Sequence, residues 1–265
     1  MIKTHFSPDF LNRLVQQINV FTDCSVWLLD IRKMPILTPE DIIEILHNSS
    51  VLRYNELSRN QRRKQFVIGR LLMKYAVSKL LNRPIQEFAM IEQRGNAPCL
   101  RAIPPIKKPL YYSLAYRYDY AACAISHSHL IGLDIEIADA SREISIPTKI
   151  AFNQNENNWL ESKPAKESCK NYYELWTRKE ACYKLLSARF NGIHNDLFWQ
   201  IDCLTDKRFQ WKTLYPGNDL LVTVCQSDPS LKFTLPKSSS YDIENASNIF
   251  NKVITENDSQ STLLP

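Results

Sequence analysis

Residues 130–137 read Leu-Ile-Gly-Leu-Asp-Ile-Glu-Ile, an apolar, β-branched run interrupted by two acids. Strand side chains alternate across a sheet. The run therefore predicts a β-strand with Asp134 and Glu136 side by side on one face and Leu133, Ile135 and Ile137 buried on the other. Such a strand needs a core on its apolar side and positive charge on its acidic side, because adjacent carboxylates repel. A hard, oxygen-seeking cation such as Mg²⁺ is the natural occupant. Gly132, lacking a Cβ, lets a second backbone or a ligand come close.

A second segment, Trp176-Thr-Arg-Lys179-Glu180-Ala-Cys-Tyr-Lys184, has helical spacing. Trp176, Glu180 and Lys184 fall at i, i+4 and i+8 and share one face. Leu175, Cys182, Leu185 and Leu186 supply packing for the helix. A third acid between two lysines suits a place where a metal ion and phosphates meet, while the bland alternative is a surface helix with an ordinary Glu→Lys pair.

Around these segments the pattern alternates helix and strand. An amphipathic start (Phe10, Leu11, Leu14, Ile18) precedes a strand over 25–31. Thr38-Pro-Glu-Asp41 opens a helix that continues to about Leu57, and a longer helix follows from Arg62 to Leu81, closed by Pro84. Strands are expected at 88–92, 110–114, 121–126, 130–137, 198–204, 208–214 and 220–225, with helices at 150–160 and 171–188. The two rounds of elements split near Ser128. This gives an N-terminal subdomain at 1–127, a C-terminal subdomain at 128–236, and a polar tail at 237–265 with few apolar anchors, expected to be mobile.

Composition excludes several alternatives. Five glycines, and no GxGxxG or GxxxxGK[ST] motif, leave no glycine-rich phosphate loop. A net charge of +5 suits an anionic ligand or an acidic partner and is too small to argue for nucleic acid. Seven scattered cysteines without CxxC read as reduced thiols. His127 and His129 are the only close histidine pair; on a strand they could ligate a metal, but a turn or exposed loop is the preferred reading, so a metal hydrolase is poorly served. No signal-peptide or membrane-spanning run is visible, so the expectation is a cytoplasmic protein with no membrane or nucleic-acid partner.

Taken together, the two acid-bearing segments resemble a known family. Gly132-Leu-Asp134-Ile-Glu136 is similar to the (I/V)G(I/L/V)D(I/x)E signature of 4′-phosphopantetheinyl transferases, and Trp176 to Lys184 to their W(S/T)xKE(A/S)xxK signature. Gln65-Phe66-Val-Ile-Gly69-Arg70-Leu-Leu resembles the family's arginine-bearing helix, Gly95-Asn-Ala-Pro98 its G-x-P turn, and Phe152-Asn-Gln-Asn-Glu156 its FSxxE helix start. Chain length and the N-terminal matches suggest the longer, Sfp-type branch.

The resemblance implies an α+β fold arranged as a pseudo-dimer of two similar halves, in a monomer. It also implies Mg²⁺-dependent transfer of phosphopantetheine from coenzyme A to an apo acyl or peptidyl carrier protein. Asp134, Glu136 and Glu180 are then expected to hold the metal ion, and Lys184 to contact the pyrophosphate. Arg70 is expected at the nucleotide end of the coenzyme, and Lys179 and Arg53 as further coenzyme contacts. Glu180, Lys184 and Glu156 are the expected catalytic groups, and Trp176 a wall of the site. Ala115-Tyr116 stands where the family usually has Ser-His, with Tyr116 or Arg117 as the substitute coenzyme contact. That departure leaves a second reading, a catalytically impaired relative that only binds coenzyme A or a carrier protein. The basic cluster Arg59, Arg62, Arg63 and Lys64 is the candidate carrier-docking patch.

Overall fold

The computed structural model describes residues 6–93, 96–141, 151–189, 198, 201–217 and 219–228. The chain order is α1 (Pro8–Leu14), β1 (Val15–Phe21), β2 (Cys24–Asp30), α2 (Pro39–Ile45), α3 (Asn48–Glu56), α4 (Asn60–Leu81), β3 (Phe88–Gln93), β4 (Asn96–Ala102), β5 (Tyr111–Arg117), β6 (Tyr120–Ser126), β7 (Leu130–Ile137), α5 (Gln154–Glu161), α6 (Ser168–Arg189), β8 (Gln210–Leu214) and β9 (Leu220–Ser227). The strands form an antiparallel sheet β1-β2-β6-β5, a hairpin β3-β4, and an antiparallel sheet β7-β9-β8.

Alternation along the strands builds three layers of core. Trp27 and Leu29 of β2, with Ala121, Cys123 and Ile125 of β6, face α4 and meet Val67, Ile68, Leu71 and Leu72. Their neighbours Val26, Leu28, Ala122 and Ala124 face the other way and pack on Ile131, Leu133, Ile135, Val222 and Val224 of the second sheet. On the far side of that sheet, Leu221 and Cys225 pack with Leu175, Ala181, Cys182, Leu185 and Leu186 of α6. The result is an α+β stack of helix, sheet, sheet and helix, in which each sheet carries one 22-residue helix on its outer face.

Local signals explain most of the boundaries. Thr38 caps α2 in a reciprocal box with Asp41, and Asn82 ends α4 in a left-handed conformation (φ 50°). The expected helix to Leu57 is two helices, because Leu46 turns extended and the His47 ring accepts the N–H of Ser49 to start α3. Residues 15–21 form a strand after the short α1, since pairing with β2 outweighs the weak helical spacing of Leu14 and Ile18. Strand β4 went unread because Pro98 interrupts it.

The expected strand at 198–204 is corrected. Residues 203–205 form a turn, because the Asp202 carboxylate accepts the N–H groups of Leu204 (3.0 Å) and Thr205 (3.2 Å). Residues 237–265, and Gly95 of the expected G-x-P turn, lie outside the described residues. Among the described residues, no helix is long and apolar enough to cross a membrane.

Candidate functional site

The site begins with Gly132. A Cβ built there would lie 1.8 Å from the carbonyl oxygen of Ala181 and 2.7 Å from the amide nitrogen of Leu185. Only a glycine allows α6 to lie this close to β7. Two residues further along the same strand face, Asp134 meets Lys184 of the helix, with Lys184 Nζ donating to Asp134 Oδ1 at 2.6 Å. Leu133 and Ile135 are buried between the sheets as expected, while Ile137 is only partly buried at the strand end.

Three acids with two cations occupy this contact. Asp134 comes from β7 with Lys184 against it; Glu136, also on β7, has Arg117 of β5 at 2.7 Å; Glu180 lies one helical turn before Lys184. Burial, opposed by Arg117 and reinforced by Asp134 and Glu180, pushes Glu136 up to about 8. Burial also raises Glu180 to about 7, with Lys184 opposing and Asp134 adding to the rise. Lys184 loses hydration, yet the carboxylates of Asp134 and Glu180 hold its amine above the usual range. These acids are costly to ionise without more positive charge nearby.

The donor chemistry fits a hard divalent cation. Asp134 Oδ2 and Glu136 Oε2 are buried acceptors without a hydrogen-bond partner, and all three side chains offer oxygen. As the side chains stand, however, no three acidic, histidine or cysteine groups among the described residues gather at metal-holding spacing. Lys184 and Arg117 lie against the carboxylates instead. Lys184 keeps 32% of its side chain exposed and so has a path outward to solvent.

Two expected site residues, Lys179 and Glu156, stand apart from this cluster. Lys179 and Glu156 are both fully buried, with Lys179 Nζ donating to Glu156 Oε2 at 2.6 Å. One position before Glu180, Lys179 points off the acidic ridge into the core behind α6, between the rings of Phe152 and Phe198. Glu156 also accepts the N–H groups of Asn153 (2.9 Å) and Cys203 (3.2 Å). A phosphate contact at Lys179 and a base at Glu156 would both require solvent access that this pair lacks. Trp176 likewise packs inward, stacked on Tyr172 beside Phe198.

Arg70 and Tyr116 come together in the N-terminal half. Arg70 donates twice to Glu92 Oε1 (2.9 and 2.7 Å) and once to the Tyr116 hydroxyl (3.2 Å), over the ring of Phe66. Tyr116 covers Gly69 so closely that a Cβ there would meet its hydroxyl at 2.0 Å. Arg53 joins neither cluster: it is exposed on α3 and pairs with Glu56. Of the basic patch, Arg63 is committed to the carbonyl of Leu57 and the ring of Tyr54.

The sequence did not reveal Glu92 as the partner of Arg70, nor Arg117 as the partner of Glu136. Position parity was the available clue for Arg117, which lies two residues beyond the buried Ala115 and so shares its side of β5. His129 belongs to the turn between the two sheets, where Asp23 Oδ2 accepts from Ser126 and lies 3.3 Å from the His129 ring.

The helix-on-strand contact with three acids, built on a Gly-Leu-Asp-Ile-Glu strand and a Trp-to-Lys helix, lies within the part of the chain that is similar to known proteins. Residues 130–234 match the family model of the 4′-phosphopantetheinyl transferase superfamily. The chain is 28% identical over 123 residues to the 4′-phosphopantetheinyl transferase gsp of Aneurinibacillus migulanus, covering 45% of this chain and 47% of that protein. It is 26% identical over 166 residues to the 4′-phosphopantetheinyl transferase HetI of a Nostoc species, covering 61% and 68% respectively. The chain thus spans about half the length of the first relative and two thirds of the second.

Proposed function

We propose that the chain is a 4′-phosphopantetheinyl transferase. It transfers phosphopantetheine from coenzyme A to a serine of an apo acyl or peptidyl carrier protein and releases adenosine 3′,5′-bisphosphate. The observation carrying this reading is the convergence of Asp134, Glu136, Glu180 and Lys184 at the glycine-mediated contact of β7 and α6. It is supported by the match of residues 130–234 to the superfamily. The two 22-residue helices, one on each sheet, favour the pseudo-dimeric arrangement with subdomains meeting near Ser128.

Asp134, Glu136 and Glu180 would hold Mg²⁺, which when bound draws charge from the diphosphate. Lys184, displaced from Asp134, turns to a phosphate oxygen and offsets charge on the departing bisphosphate. The carrier serine Oγ attacks the phosphorus that bears the pantetheine arm, and the bond from that phosphorus to the bridging oxygen breaks. Glu180, ionised, accepts the serine proton. No covalent protein intermediate is needed; the residues position the groups and compensate charge. Arg70, with Tyr116 beside it, is the proposed contact for the nucleotide end. The protein acts as a cytoplasmic monomer in this reading.

Incubating the chain with coenzyme A, MgCl₂ and an apo carrier protein should add the mass of one phosphopantetheine to the carrier. Coenzyme A binding without any mass gain across acyl and peptidyl carriers would instead support the impaired relative.

A further inference from the structure

The position of Arg117 goes beyond what the acid cluster alone requires. Its Nε lies 2.7 Å from Glu136 Oε2, yet both atoms lack a hydrogen-bond partner, because the N–H is not aligned on the carboxylate. Lys184 differs, since its contact with Asp134 is a formed hydrogen bond. Arg117 thus neutralises Glu136 electrostatically without being locked to it. A misaligned ion pair is the easier of the two to exchange.

The Arg117 side chain rests on the residue that follows it. Its guanidinium lies 4.5 Å from the ring centroid of Tyr118, which follows it in a left-handed conformation (φ 46°). The carbonyl of Tyr118 accepts from Gln65 of α4 at 2.7 Å. The turn is therefore anchored to α4, while 21% of the Arg117 side chain stays exposed. A planar guanidinium presents a fork of donors that matches two phosphate oxygens, which an ammonium cannot do.

We propose that Arg117 is a transferable cation of the site: it holds Glu136 while no metal ion is bound, and passes to a phosphate oxygen of the diphosphate when a divalent cation takes that carboxylate. This inference rests on the transferase reading above. It gives Arg117 opposite effects on two ligands: it competes with the metal ion for Glu136 and assists the diphosphate. A purely structural arginine would support both or neither.

Calorimetric titration of wild type, Arg117→Gln and Arg117→Lys separates these cases, using MgCl₂ alone and then coenzyme A in saturating MgCl₂. Arg117→Gln should bind Mg²⁺ alone several-fold more tightly and coenzyme A about tenfold more weakly, the loss expected for one charge-assisted hydrogen bond. Arg117→Lys, which keeps the charge without the fork, should fall between wild type and Arg117→Gln for both ligands. Weakening of both ligands in Arg117→Gln, or wild-type affinity for both, overturns the role of Arg117. If wild type itself binds no coenzyme A, the transferase reading fails and the role of Arg117 fails with it.

Discussion

Removing one member of the buried Lys179–Glu156 pair should cost more than removing both, and the two single losses should be unequal. Glu156 holds Lys179 at 2.6 Å and also accepts the N–H groups of Asn153 and Cys203, so its carboxylate keeps two donors if the lysine is lost. Among the described residues Lys179 has no comparable reserve: the faces of Phe152 and Phe198 lie near its ammonium, 5.8 and 5.4 Å from the ring centroids. Glu156→Gln preserves shape but strands a buried charge, which costs about 3–5 kcal/mol. Lys179→Met leaves a carboxylate still hydrogen-bonded by the backbone, and should cost roughly 2–3 kcal/mol. The double variant should return to within about 2 kcal/mol of wild type, because no unpaired charge remains. Urea unfolding of the four proteins yields the coupling energy directly. Additive single losses, or a Glu156→Gln cost below about 1 kcal/mol, would refute the reasoning.

Three further outcomes follow from the site. Gly132→Ala places a Cβ against the Ala181 carbonyl, which is backbone and cannot swing aside. It should lower stability by about 3 kcal/mol and abolish transfer, as read by urea unfolding and carrier mass. Gly69→Ala collides with the Tyr116 hydroxyl, so it should displace that ring and weaken coenzyme A binding in calorimetry while transfer persists at saturating coenzyme. In EDTA, stability should fall as pH rises from 5 to 8. Glu136 and Glu180 titrate near 8 and 7 in the folded chain but near 4.5 when unfolded, so over that range the folded state binds more protons. The loss should reach on the order of 2 kcal/mol or more in urea midpoints, and Mg²⁺ should flatten it; a pH-independent midpoint would contradict the burial of these acids.

The acid-bearing strand was legible in the sequence to the residue, because alternation within an apolar run is a strong, local signal. Helix α6 was equally legible from the spacing of Trp176, Glu180 and Lys184. What escaped depended on partners distant in sequence. Strand β1 exists because β2 is there to pair with it, and the turn after residue 202 exists because Asp202 bonds the next amides. The partner of Lys179 escaped for a related reason. The neighbouring Glu180 is on the acidic ridge, and only the position of α5 shows that the lysine turns the other way, toward Glu156. The Arg117–Glu136 pair joins two sheets, and no spacing within either segment encodes that meeting.

The claim on which the mechanism depends is that the acids of β7 and α6 form one divalent-cation site. Titrating the chain with Mn²⁺ and following the free-ion electron paramagnetic resonance signal tests it directly. Wild type should quench the signal with a single ion per chain, and Asp134→Asn should leave it undiminished. Equal quenching by both proteins, or none by wild type, would contradict the account.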